Sequence, residues 1–172
     1  MIRAFALAAT LALSACTTMH NYPEATPYDE SADAMAEVDA ALASAAIEDK
    51  RVLLVMGANW CHDSRALAGW LKTPRFSALV DQYYVPVYVD AGVPQDGRSK
   101  NMDIARRFGV EELPGTPNLF VIMPDGRLVN RDTVTSWRDA ESRGEDAIYD
   151  ELLALATRQV GFTPVGGAEI AE

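Results

Sequence analysis

The stretch Trp60-Cys61-His62-Asp63-Ser64 holds the side chains best suited to chemistry in this chain. It follows a continuous apolar run, Val52 to Met56, that reads as a buried strand, and a break at Gly57-Ala58-Asn59. A strand followed at once by a helix puts Cys61 at the helix start. Unpaired backbone N–H groups and the helix dipole favour negative charge there, and therefore the thiolate, the reactive form of cysteine. Ser64, one helical turn on, is placed to donate a hydrogen bond to that thiolate. The spacing is Cys-x-x-Ser, so one thiol stands where two are needed to open a substrate disulfide and then release it. Cys61 can perform the first step alone. The second needs an outside thiol, from a small molecule or a partner protein.

The neighbours carry two readings each. His62 favours the thiolate if protonated and is idle otherwise. Asp63 opposes a thiolate by like charge, or serves the helix start. Trp60 is expected to pack beside the site. Cys61, His62 and Asp63 offer metal-ligand types, but adjacent residues rarely aim at one ion, and the second histidine, His20, falls near the N-terminus. No metal is expected and no cofactor is implied. The chain has no Cys-x-x-Cys pair, no zinc-finger spacing and no Gly-rich phosphate loop. Adjacent Glu111 and Glu112 point apart too readily to serve as a hydrolytic acid pair.

Of the 172 residues 49% are hydrophobic, enough for one domain with a core, and the formal net charge of -10 argues against nucleic acid and anionic lipid as partners. The N-terminus reads as an export signal: Arg3, an apolar run from Ala4 to Ala12, then Leu13-Ser14-Ala15-Cys16. The run is too short to span a bilayer, which takes ~20 apolar residues. Leu-Ser-Ala-Cys resembles the lipobox of bacterial lipoproteins. That resemblance implies removal of residues 1–15 and lipidation of Cys16, hence an exported protein anchored in the bacterial cell envelope and facing the periplasm. Thr17 stands where an inner-membrane retention signal has Asp, so the outer membrane is the expected address. Residues 16–30, with Pro23 and Pro27, read as the lipidated Cys and a flexible tether.

The folded domain is expected over 31–160, with a flexible tail at 161–172. Residues 33–50 form an amphipathic helix, and the helix after Cys61 ends near Thr73-Pro74. Residues 84–89 form a second strand, which Pro86 assigns to a sheet edge because proline cannot donate to a ladder. Residues 93–101 read as a polar loop and 101–108 as a short helix. Residues 119–123, 124–127 and 128–130 read as strand, tight turn and antiparallel strand, and 145–158 as the last helix. Helices alternating with strands make an α/β domain with a mixed sheet.

This order, with Trp60-Cys61 after the first strand and Gly115-Thr116-Pro117 before the strand at 118–123, resembles the thioredoxin superfamily. The resemblance covers roughly residues 52–158. It implies a three-layer α/β/α sandwich with a mixed, mostly four-stranded sheet, and a cis-proline at Pro117 facing Cys61 across a groove that binds a client segment. Two departures stand out. Ser64 replaces the resolving cysteine, and Val55 replaces the buried acid that helps deprotonate it. The expected activity is monothiol disulfide exchange, or mixed-disulfide capture of exported protein thiols and disulfides, with a low-molecular-weight thiol as the other possible partner. The alternative is a non-catalytic binding module on the same scaffold.

Overall fold

The computed structural model describes residues 22–160. The expected signal segment, Cys16 and the tail from 161 lie outside the described residues. The elements run α1 (Ala34–Glu48), β1 (Arg51–Gly57), α2 (His62–Trp70), α3 (Pro74–Tyr83), β2 (Tyr84–Asp90), β3 (Gly92–Val93), a 3-10 turn, β4 (Arg98–Ser99), α4 (Met102–Arg107), β5 (Asn118–Ile122) and α5 (Glu145–Thr157). Among the described residues no helix is long and apolar enough to cross a membrane.

The central sheet has the order β2-β1-β5, with β1 parallel to β2 and antiparallel to β5. β1 is apolar from Val52 to Met56 because both of its faces are covered there. Side chains alternate across a strand, so Leu53 and Val55 face one way and Val52, Leu54 and Met56 the other. The first pair joins Leu119 and Val121 of β5 against α2, α3 and α5, through Leu67, Phe76 and Leu152. The second set joins Phe120 and Ile122 against α1 and α4, through Val38, Ala45 and Ile104. The result is a three-layer α/β/α sandwich. Pro86 stands opposite Leu53 in β2, and β2 is an edge of the sheet. An edge strand has one side without a ladder partner, which makes a proline there tolerable.

The fourth strand is reduced to its first residues. Leu128 forms a single antiparallel bridge with Ile122, and Val129 N donates to Val121 O at 2.8 Å. Asn130 then takes over with its side chain. Its Oδ1 accepts from Val121 N at 2.8 Å, and its Nδ2 donates to Leu119 O at 2.9 Å. One buried amide thus supplies the two bonds a continuing strand would make, and the chain is free to turn away through Thr133 to Ser142. The stretch expected as a polar loop after β2 contains a small hairpin, with β3 pairing antiparallel to β4.

The expected tether ends earlier than Glu30. Tyr28 is 1% exposed and packs in the core layer of α2 and α3. Ala25 N donates to Arg65 O at 3.0 Å, and the Pro23 carbonyl lies against Gly69 of α2. A tyrosine with a core slot and a helix with a glycine notch hold residues 23–28 on the domain, which proline content alone did not reveal.

Candidate functional site

Cys61 is the N-cap of α2, with extended φ/ψ of -84° and 123°. The turn before it closes with a bond from Cys61 N to Ala58 O at 3.1 Å. Arg65, one turn into the helix, holds that loop from the other side: its Nη1 donates to the carbonyls of Asn59 (3.2 Å) and Trp60 (3.1 Å), and its remaining nitrogens reach Glu24. Asn59 in turn exchanges two bonds with the Tyr28 backbone, at 3.2 and 2.7 Å. The strap at 23–28 and the loop before Cys61 are therefore one hydrogen-bonded unit. The Tyr28 hydroxyl completes it by donating to the carbonyl of Ser64 at 3.1 Å, and burial pushes that phenol well above its ordinary pKa.

Cys61 is a free cysteine and 6% exposed. Its Sγ donates to the carbonyl oxygen of Thr116 at 3.4 Å. The Thr116–Pro117 peptide bond is cis. The loop Gly115-Thr116-Pro117, 55 residues along the chain, thus meets the start of α2. Asn118, fully buried, holds this loop by donating to Gly115 O at 2.7 Å.

Ser64 is fully buried, but its Oγ has no hydrogen-bond partner. The hydrogen bond expected from Ser64 to the sulfur is not made here; the sulfur's partner is the Thr116 carbonyl. The Thr116 hydroxyl is likewise buried and unpartnered.

The other expected residues divide. Trp60 is half exposed, with Nε1 donating to Gly92 O at 3.1 Å, so the indole is anchored to the β3 hairpin and leaves one side in solvent. Asp63 is nearly buried. Its Oδ1 accepts from Glu141 N at 2.8 Å, which ties the helix start to the turn before α5. Burial holds the Asp63 carboxyl above the usual carboxylate range, with the Glu141 N–H and the His62 charge opposing and the charges of Glu141 and Asp139 adding. His62 is largely exposed, with Nε2 3.2 Å from Asp63 Oδ2 and 3.0 Å from Glu141 Oε2. Sequence reasoning missed Glu141, Arg65, Asn59 and Tyr28. The polar pair Asn59 and Arg65 flanking the Cys was the one visible signal. Nothing local marks Glu141, because its partners are 78 residues away.

A family model described as thioredoxin-like matches residues 33–124. Among solved structures, the crystal structure of a disulphide isomerase from Xylella fastidiosa Temecula1 is 33% identical, with a TM-score of 0.67. That likeness covers 76% of this chain and 97% of the other. No curated protein matches the sequence.

Proposed function

Because this chain belongs to the thioredoxin-like family, we propose that it is a lipid-anchored protein of the bacterial cell envelope that reshuffles disulfides of exported proteins through Cys61. The observation that carries the reading is a free Cys61 at the N-cap of α2, in contact with Thr116 ahead of Pro117. The disulphide isomerase likeness supports the same class of substrate.

One thiol is sufficient for this task. The Cys61 thiolate attacks a client disulfide, forming a Cys61–client bond and releasing the second client sulfur as a thiolate. A different client thiolate then attacks the client sulfur of the mixed disulfide, forming a new disulfide on the client, and Cys61 leaves as a thiolate. A small-molecule thiolate in that role releases Cys61 and leaves a client mixed disulfide for a further exchange. Cys61 undergoes no net oxidation, so neither a resolving cysteine nor the buried acid lost at Val55 is needed.

The lipobox-like Leu13-Ser14-Ala15-Cys16 supports the anchor, and Thr17 supports the outer membrane. Six residues separate Cys16 from Pro23, which lies against α2. At ~3.3–3.6 Å per residue, a lipid on Cys16 keeps the strap within about 25 Å of its attachment point.

The test is trapping. Envelope extracts of cells producing the full chain, quenched with acid and alkylated, should contain adducts of this chain that dissolve on reduction. Cys61→Ser should lack them. Equal adducts in that variant overturn the reading. The 6% exposure of Cys61 favours a second reading, a binding module in which the thiol is idle. That reading requires Cys61→Ala to retain the cellular phenotype.

A further inference from the structure

His62 and Asp63 sit side by side at the start of α2, and the adjacent Cys61 is turned to the Thr116 carbonyl, so the local sequence leaves them without a third ligand. The fold supplies one. The turn before α5 brings Glu141 over the helix start, where its backbone N–H donates to Asp63 Oδ1 at 2.8 Å. That bond orients the carboxylate so that Oδ2 lies 3.2 Å from His62 Nε2. Glu141 Oε2 lies 3.0 Å from the same nitrogen. One atom from each of the three side chains falls within 4.8 Å of the other two. The Tyr22 hydroxyl hydrogen-bonds Glu141, and its pKa is pushed up to about 12, by desolvation first and by Glu141 next.

We propose that His62, Asp63 and Glu141 form a site for one divalent cation of the zinc type. Ligands held at ~2.0–2.2 Å from a tetrahedral zinc sit about 3.3–3.6 Å from one another. The two separations from His62 Nε2 need only tenths of an ångström to reach that range. One imidazole with two carboxylates suits zinc, whereas calcium and magnesium take oxygen ligands. The support behind the ligands is built: Asp63 is fixed by a backbone N–H and Glu141 by a phenol. The exposed side of His62 leaves a fourth position to water or an incoming group.

In the ion-free chain His62 Nε2 lies within ion-pair distance of both carboxylates. A cation bound there takes the imidazole nitrogen in its neutral, lone-pair form. The ion cancels two carboxylate charges beside Cys61 and staples the turn before α5 to the helix that carries the thiol. The site is independent of whether Cys61 reshuffles disulfides.

The test is a calorimetric titration of the full chain with zinc chloride, with circular dichroism to confirm that each variant is folded. One ion per chain is expected. His62→Gln and Glu141→Gln should each weaken binding at least tenfold, and Cys61→Ser should leave it unchanged. His62 is mostly exposed, so its replacement keeps the fold. Absence of saturable binding, equal affinity in both ligand variants, or loss of binding in Cys61→Ser overturns the proposal.

Discussion

Cys61 Sγ donates to the carbonyl oxygen of Thr116 across 3.4 Å, so the thiol proton is spent on the loop that carries Pro117. An ionised sulfur has no proton for that carbonyl and needs a donor instead. One turn along the same helix, the Ser64 hydroxyl is such a donor, buried without a partner.

Replacing Ser64 with Ala therefore has two effects of opposite sense. Removing a buried hydroxyl that makes no bond should leave stability unchanged or raise it by about 1–2 kcal/mol. Alkylation of Cys61 at neutral pH should slow about tenfold, because a hydrogen bond to a charged group contributes ~1.5–3 kcal/mol. Urea denaturation and iodoacetamide kinetics measure the two. Unchanged alkylation would show that Ser64 does not serve the thiolate.

Gly69→Ala should destabilise, although alanine normally stabilises a helix interior by about 1 kcal/mol over glycine. A Cβ at Gly69 would lie 2.1 Å from the Pro23 carbonyl oxygen and 2.4 Å from its carbon, both backbone atoms. The strap at 23–28 must shift, at a cost of about 1–3 kcal/mol. The expected readout is a lower urea midpoint together with faster proteolysis before residue 30. A raised midpoint contradicts the packing of the strap.

Asn130→Ala removes both bonds that replace the fourth strand and leaves Val121 N and Leu119 O without partners in the interior. The expected loss is about 2–4 kcal/mol by chemical denaturation. A loss below ~1 kcal/mol would mean that water or the backbone takes over the two bonds.

Asp63 sets an acid-range pH dependence. Its carboxyl binds a proton more tightly in the folded chain than in the unfolded one, because burial raises it. Stability therefore falls as pH rises from the ordinary Asp value of ~3.9 through the raised folded value, and the cost persists above it. Asp63→Asn keeps an acceptor for Glu141 N but cannot ionise. Wild type should lose stability relative to this variant across that window, with a flat difference above it. A difference independent of pH would contradict the assignment.

The elements that place the thiol were legible because their signals are local. An apolar run, a break and Trp60-Cys61 define β1 and the start of α2, and Gly115-Thr116-Pro117 ahead of an apolar strand defines the facing loop. Pro86 announces an edge through a missing donor. What was not legible depends on partners far along the chain. Asn130 reads as the end of a strand, and only the turn of the backbone toward Val134 shows its amide serving in place of one. Glu141 is an ordinary acidic residue until the turn before α5 brings it to His62. Tyr28 sits among prolines that suggest a tether, and the glycine notch that receives the strap is 41 residues beyond it.

The most direct measurement is the return of native activity in a disulfide-scrambled test protein, held in a glutathione buffer with catalytic amounts of the full chain. Disulfide reshuffling through Cys61 predicts a faster return than in buffer alone, lost in a folded Cys61→Ala protein. A rate equal to buffer, or equal acceleration by Cys61→Ala, would contradict it.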